Sequence, residues 1–300
     1  MHTSKFQKLQ NPILGLSKNI EKRLSPSVLR MNEGHFRLYF AEQVNVGSSI
    51  CNTSIRSARS ENGQNWILED GSRIDCNKYG FDRVLSPSVI DTGSGFRMMF
   101  EGRRNGDRPS IYTAYSGDGL SWELQNKVGL SVNKSTLGVG SPCLIYDDGL
   151  QTYRIYFHVR TQNACNIWTA KSKDGMIFVD TEGPIIIQEK ESEAYSIYSP
   201  FVFRDGSNWQ MLYAGWSIDP IVGRIFHAES SDGVHWEKTS GCLLEPSHWY
   251  DVKHCSEPSI TNIEGVWVIF YECCDASKRW RIASAWQTEF NREDKVCGFV

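Results

Sequence analysis

Short apolar stretches, each opened by a Ser-Pro or Glu-Pro step and closed by a polar turn, recur along the chain at intervals of roughly sixty residues. The steps are Ser25-Pro26, Ser86-Pro87, Ser141-Pro142, Ser199-Pro200 and Glu257-Pro258, with successive prolines 61, 55, 58 and 58 residues apart. Each step begins a strand. A turn follows, then an aromatic-rich strand: F-R-L-Y-F, F-R-M-M-F, Y-R-I-Y-F, W-Q-M-L-Y and W-V-I-F-Y. A third strand contains S-A-R-S, T-A-Y-S, T-A-K-S, H-A-E-S or I-A-S-A. Four repeats then carry an Asn-Gly or Asp-Gly turn ahead of Trp66, Trp122, Phe178 or Trp236, the aromatic that opens a fourth, outer strand.

Short strands separated by turn signals predict antiparallel four-stranded blades, hence an all-β, five-bladed β-propeller. The predicted blades cover about 25–70, 82–127, 138–188, 196–245 and 254–290, within one domain spanning 1–300. The fifth repeat lacks its outer strand. The segment from Phe6 matches the outer-strand segments at Trp122 and Phe178, so residues 5–11 are expected to complete the last blade and close the ring. Closure removes two free sheet edges, which would otherwise invite aggregation.

The blade order also predicts where a site lies. Innermost strands of a propeller line a channel, and the connection from second to third strand returns to the end where those strands begin. An inner ring of Ser25, Ser86, Ser141, Ser199 and Glu257, with Asp82, Arg83 and His254 just before it in sequence, therefore meets a rim at that end. The rim comprises Glu42, Glu101, Arg103, Arg104, His158, Arg160, Trp216, Asp219, Glu272 and Asp275. In four repeats a charged or histidine residue stands in the same register at the end of an apolar strand. Such convergence suits a ligand site, although Glu101 pairing with Arg103 or Arg104 around a polar channel is a structural alternative. The Asp-Gly turns fall on the opposite face and read as structural.

Composition narrows the ligand. With 32 basic and 35 acidic residues the net charge is -3, so no polybasic surface points to nucleic acid or anionic lipid. No stretch approaches eighteen apolar residues and the first residues lack an apolar signal region, so no membrane insertion and a cytoplasmic location are expected. Nine scattered cysteines without zinc spacing read as reduced thiols, and no metal or other cofactor is expected. The chain has no G-x-S-x-G elbow and no phosphate loop. Aromatic content of 12%, with acids, arginines and histidines in a funnel, suits a hydroxyl-rich ligand such as a sugar. Glycosidic-bond chemistry needs two carboxyls, one protonated to serve the leaving oxygen and one to act as base or nucleophile. Glu257 is the single inner-ring carboxylate, and Glu101 and Glu272 are the rim candidates beside it.

The opening x-S-P-S-V followed by a turn and F-R-L-Y-F resembles the five-bladed propeller glycosidases of the arabinanase/β-xylosidase and invertase/levansucrase group. It is similar also to mannoside phosphorylases and to the propeller of plant glucosamine inositolphosphorylceramide transferases. In those glycosidases certain inner strands begin with an Asp-Pro that supplies base or nucleophile, and an acidic residue before another Pro supplies the acid. Here four equivalent positions are serine and only Glu257-Pro258 is acidic, so the family's carboxylate triad is not reproduced.

The resemblance implies a glycoside hydrolase-like, carbohydrate-active enzyme of polysaccharide metabolism, acting on a glycoside or glycoconjugate with Glu257 and Glu101 or Glu272 as working carboxylates. The other polar residues of ring and rim, with Trp216, would bind substrate. The alternatives are a sugar-binding propeller without hydrolysis, and glycosyl transfer in glycoconjugate biosynthesis with Arg103, Arg104 and Arg160 pairing a phosphate. Oligomeric state is not legible.

Overall fold

A computed structural model describes residues 5–44, 52–132, 135–147 and 149–288. Nearly all of its regular structure is β, organised as successive antiparallel meanders that follow the repeats. The first meander pairs Ile20–Arg30, Phe36–Val44 and Thr53–Ser60 in order, with short outer strands at Ile67–Leu68 and Ile74–Asp75. The second runs Arg83–Asp91, Phe96–Arg103, Ser110–Ser116 and Glu123–Lys127. The third runs Gly138–Asp147, Thr152–Arg160, Cys165–Ser172 and Ile177–Ile186. The fourth runs Ser196–Asp205, Asn208–Trp216, Gly223–Ser230 and Glu237–Lys238.

The last repeat contributes His254–Ile263, Val266–Cys274 and Trp280–Gln287, and its outer strand comes from the other end of the chain. Phe6–Lys8 pairs antiparallel with it, Phe6 facing Gln287 and Lys8 facing Ala285. The strand is shorter than the expected 5–11, and residues 289 and 290 of the expected blade lie outside the described residues. Lys8 fixes this strand: its ammonium reaches the buried Asp251 carboxylate at 2.5 Å and the Cys255 thiol at 3.4 Å. Asp251 also accepts from Tyr271 and from the amides of Ser247 and His248.

Apolar side chains are buried between consecutive meanders, so each sheet has two covered faces. Tyr39 and Ile55 pack with Met98 and Phe100, Met99 with Ile155 and Phe157, and Tyr156 with Met211. Leu212 packs with Ile269, and Phe270 returns to Leu38 and Phe40 of the first repeat. Burial on both faces explains the continuous apolar runs of the second strands.

The Asp-Gly turns join the sheets. In each, Ser and Asp or Asn oxygens take up the turn's amides while a left-handed glycine follows, as at Ser116, Asp118 and Gly119 (φ 72°). The second strand of the preceding repeat donates into that turn: Arg37 to the Asp118 carbonyl at 3.1 Å, Arg97 to Gly175 at 2.9 Å and Arg154 to Asp232 at 3.1 Å. Tyr39 and Tyr156 hydroxyls do the same to Gly119 and Gly233. Satisfying these carbonyls gives the arginine of F-R-L-Y-F and its equivalents a structural role.

Cys76 is disulfide-bonded, which corrects the reading of every thiol as reduced. Cys143, Cys165, Cys242, Cys255, Cys273 and Cys274 are free. No helix among the described residues is long and apolar enough to cross a membrane.

Candidate functional site at the Ser-Pro ring

The five proline steps that open the repeats share one irregular backbone. Ser25, Ser86, Ser141, Ser199 and Glu257 have φ of 55°, 49°, 45°, 52° and 48°. Strand register slips by one residue across each step. Non-glycine residues rarely occupy this region, and here the strain accompanies a bulge that turns the residue before proline out of the pleat. The ring residues and their prolines consequently line one small cavity. Within it Ser86 Oγ lies 3.5 Å from Ser25 Oγ, 3.4 Å from Ser141 Oγ and 3.4 Å from Glu257 Oε2.

Outside the ring opens a cavity of about 350 Å³, bounded by Arg83, Glu101, His158, Arg160, Tyr198 and Glu257 together with Ser86 and Ser141. Glu101 and Glu257 thus reach one space from the second and fifth repeats. Glu101 is buried and accepts from Arg83 at 3.0 Å, so its partner is Arg83 and not the Arg103 or Arg104 of the structural alternative. Burial pushes its carboxyl up, against the opposing pull of Arg83. Gly140 makes room for that carboxylate: a Cβ there would collide with Glu101 Oε2 and come within 2.9 Å of the His158 ring.

Glu272 lies behind Glu257, only 4% exposed, accepting from the Ser256 hydroxyl at 2.8 Å and the Ser25 amide at 3.1 Å. Glu257 is pushed well above the ordinary carboxylate range by burial and then by the Glu272 charge. Burial raises Glu272 to about 7, against its two hydrogen bonds. Two neighbouring carboxyls in low dielectric do not both ionise, so the pair holds a proton at neutral pH. The donors around Glu272 favour its anion, which leaves the proton on Glu257, beside the cavity.

His158 is buried, with Nδ1 lacking a hydrogen-bond partner. Its pKa falls to about 3 through burial and then the Arg160 and Arg83 charges, so the ring is neutral. Tyr198 stands edge-on to it, ring centres 6.2 Å apart, and leads to Trp216 at 6.3 Å. Trp216 is stacked on His254 at 4.3 Å, with Trp280 parallel to both. His254 accepts the Gly223 amide on Nδ1 and is lowered to about 4 by burial and Lys253.

Several expected site residues lie elsewhere. Glu42 is neutralised by Arg23 at 2.9 Å and Arg56 at 3.4 Å. Arg104 lies 4.1 Å over the Phe81 ring and donates to the Tyr79 carbonyl. Arg103 pairs with Asp82, which also accepts the Gly106 amide. Asp275 is held by Arg281 at 2.8 Å and caps its own turn. Asp219 is exposed before Pro220. For all of these but Asp219, local pairing supplies the partner that a ligand would have supplied. Tyr198 and Gly140 were not anticipated. A signal existed in the residue preceding each X-Pro step, which reads Leu24, Leu85, Gly140, Tyr198 and Ser256. Of the departures from leucine, Tyr198 borders the cavity as Leu85 also does, Gly140 makes room for Glu101, and Ser256 donates to Glu272. Among the described residues no group of three or more His, Cys, Asp or Glu is placed to hold a metal ion.

The chain shares its fold with solved glycoside hydrolases and a mannobiose phosphorylase, which superimpose on almost its whole length. BT0996 in an RGII complex matches with TM-score 0.82 at 16% identity, covering 98% of this chain and 95% of that one. A thermostable family-43 glycoside hydrolase gives TM-score 0.74 at 18% identity, covering 94% and 93%. The β-1,2-mannobiose phosphorylase of Listeria innocua gives 0.74 at 13%, covering 94% and 96%. In sequence, uncharacterized proteins from two strains of Mycobacterium tuberculosis are 26% identical over 214 residues, 64% of this chain and 69% of theirs. No family model matches the chain.

Proposed function

We propose that residues 1–300 form a single five-bladed propeller that acts on a glycoside or glycoconjugate at the mouth of its channel by carboxylate acid/base chemistry. The observation that carries this reading is the Glu257–Glu272 pair beside a cavity that Glu101 also enters. Glu257, protonated at neutral pH, serves as proton donor to the leaving oxygen. Glu101, drawn towards its anion by Arg83, serves as base or nucleophile. Glu272 does not border the cavity; it positions the proton on Glu257. Tyr198, His158 and the Ser86 and Ser141 hydroxyls offer the hydrogen bonds and ring faces that a sugar requires. The carbohydrate-active enzymes among the similar folds support the substrate class.

A second reading, sugar binding or glycosyl transfer without hydrolysis, is favoured by the four serines at ring positions where the glycosidases use acids. A panel of aryl glycosides assayed with wild type and Glu257→Gln separates the two. Turnover abolished by the substitution, with the melting temperature retained, is expected; equal turnover in both proteins would remove Glu257 as the acid.

A further inference from the structure

The cavity walls are unequal in charge. On the Glu257 side the carboxyl faces the cavity protonated, and the anion of the pair lies behind it at Glu272. From the second and third repeats the same cavity receives two guanidinium groups, Arg83 and Arg160, and one carboxylate, Glu101. Glu101 occupies a single nitrogen of Arg83, leaving most of that donor fork open. Arg160 is exposed and has no carboxylate within ion-pair distance among the described residues. Both guanidinium charges act on His158, so their fields converge on one part of the wall. There the buried His158 Nδ1 also lacks a partner, and Leu137 and Pro109 supply apolar surface beside it. These residues bring two guanidinium charges against one carboxylate, and a neutral sugar hydroxyl, although it could pair the ring nitrogen, would leave the surplus charge uncompensated.

We infer that the ligand of this site bears an oxyanion, a carboxylate on the sugar or a phosphate, received by Arg83 and Arg160 beside His158, in the cavity that Glu257 also borders. The inference rests on the reading of the cavity as a carbohydrate site and adds the charge class of what it takes. Guanidinium groups bind such oxyanions by paired, charge-assisted hydrogen bonds, which a neutral hydroxyl cannot match. Of Arg103, Arg104 and Arg160, which the glycosyl-transfer alternative would pair with a phosphate, the first two are engaged with Asp82 and with Phe81 and Tyr79 instead.

Calorimetric titration of the full chain with D-glucuronate, inorganic phosphate and D-glucose tests this. At least one anion is expected to bind tenfold or more tightly than glucose, with affinity falling as NaCl rises from about 50 to 300 mM. Arg160→Gln should weaken that anion at least fivefold and leave glucose unchanged, while Arg160→Lys restores part of the loss. A preference for glucuronate assigns the oxyanion to the sugar; a preference for phosphate assigns it to a phosphoryl group or a free co-substrate. Anions binding no better than glucose, or binding equally in wild type, Arg160→Gln and Arg83→Gln, would overturn the inference. Because the readout is binding, it stands apart from turnover. An Arg160-dependent anion preference in a protein that cleaves no glycoside would keep the anion site and remove the acid/base reading.

Discussion

Replacing Glu272 by glutamine is the most direct probe of the proton arrangement beside the cavity. The substitution keeps size and an acceptor for the Ser256 hydroxyl and the Ser25 amide, but removes the charge that holds the proton on Glu257. A carboxyl whose folded pKa lies above its unfolded value binds its proton more tightly when folded. Its contribution to stability is then full below about 4.5 and is lost as pH rises through about 7, the value at Glu272. A rise from 4.5 to about 7, at roughly 1.4 kcal/mol per unit, sets about 3 kcal/mol as the upper bound on that loss. Glutamine does not titrate, and without its neighbour Glu257 ionises more readily. The variant should therefore gain on wild type as pH rises from 5 to 8. At about 2 °C per kcal/mol for a chain of this size, the two melting temperatures should diverge by about 5 °C across that range. Any hydrogen bond lost to the amide shifts both ends equally and does not affect the divergence. Scanning calorimetry at pH 5, 6, 7 and 8 reads it directly, and the alkaline limb of glycoside turnover should move to lower pH in the same variant. A melting-temperature difference that stays constant from pH 5 to 8 would refute the shared proton.

Lys8→Met leaves the buried Asp251 with hydroxyl and amide donors but no cation, a change expected to cost about 3 kcal/mol. The melting temperature should fall by about 6 °C, and hydrogen exchange should show Phe6–Lys8 opening before the rest. Gly140→Ala places a methyl against the Glu101 carboxyl and the His158 ring, so kcat/KM on any turned-over glycoside should drop at least tenfold. Its stability cost should stay within about 1–3 kcal/mol, read from the same melting curves. A variant as active as wild type would show that Glu101 can work from another position.

The strands, their order within each repeat and the strand borrowed from Phe6 are written in local signals. Proline steps, Asn-Gly and Asp-Gly turns and aromatic runs each act over a few residues, and their recurrence carries the architecture. The convergence of the ring was legible too, because topology brings the residues before each proline together whatever they are. Pairing was not legible. Glu101 met Arg83 rather than Arg103 or Arg104, the partners of the structural alternative, and Glu42, Asp82, Arg104 and Asp275 spent their charges on neighbours. Partner choice among charged residues is decided over a few ångströms between segments far apart in sequence, and no periodicity records it. The proton on Glu257 belongs to the same class of property. Read as a string of residues, the chain already puts one acid in a ring of serines. Its charge is set only on folding, which buries a second carboxyl from the neighbouring strand behind it.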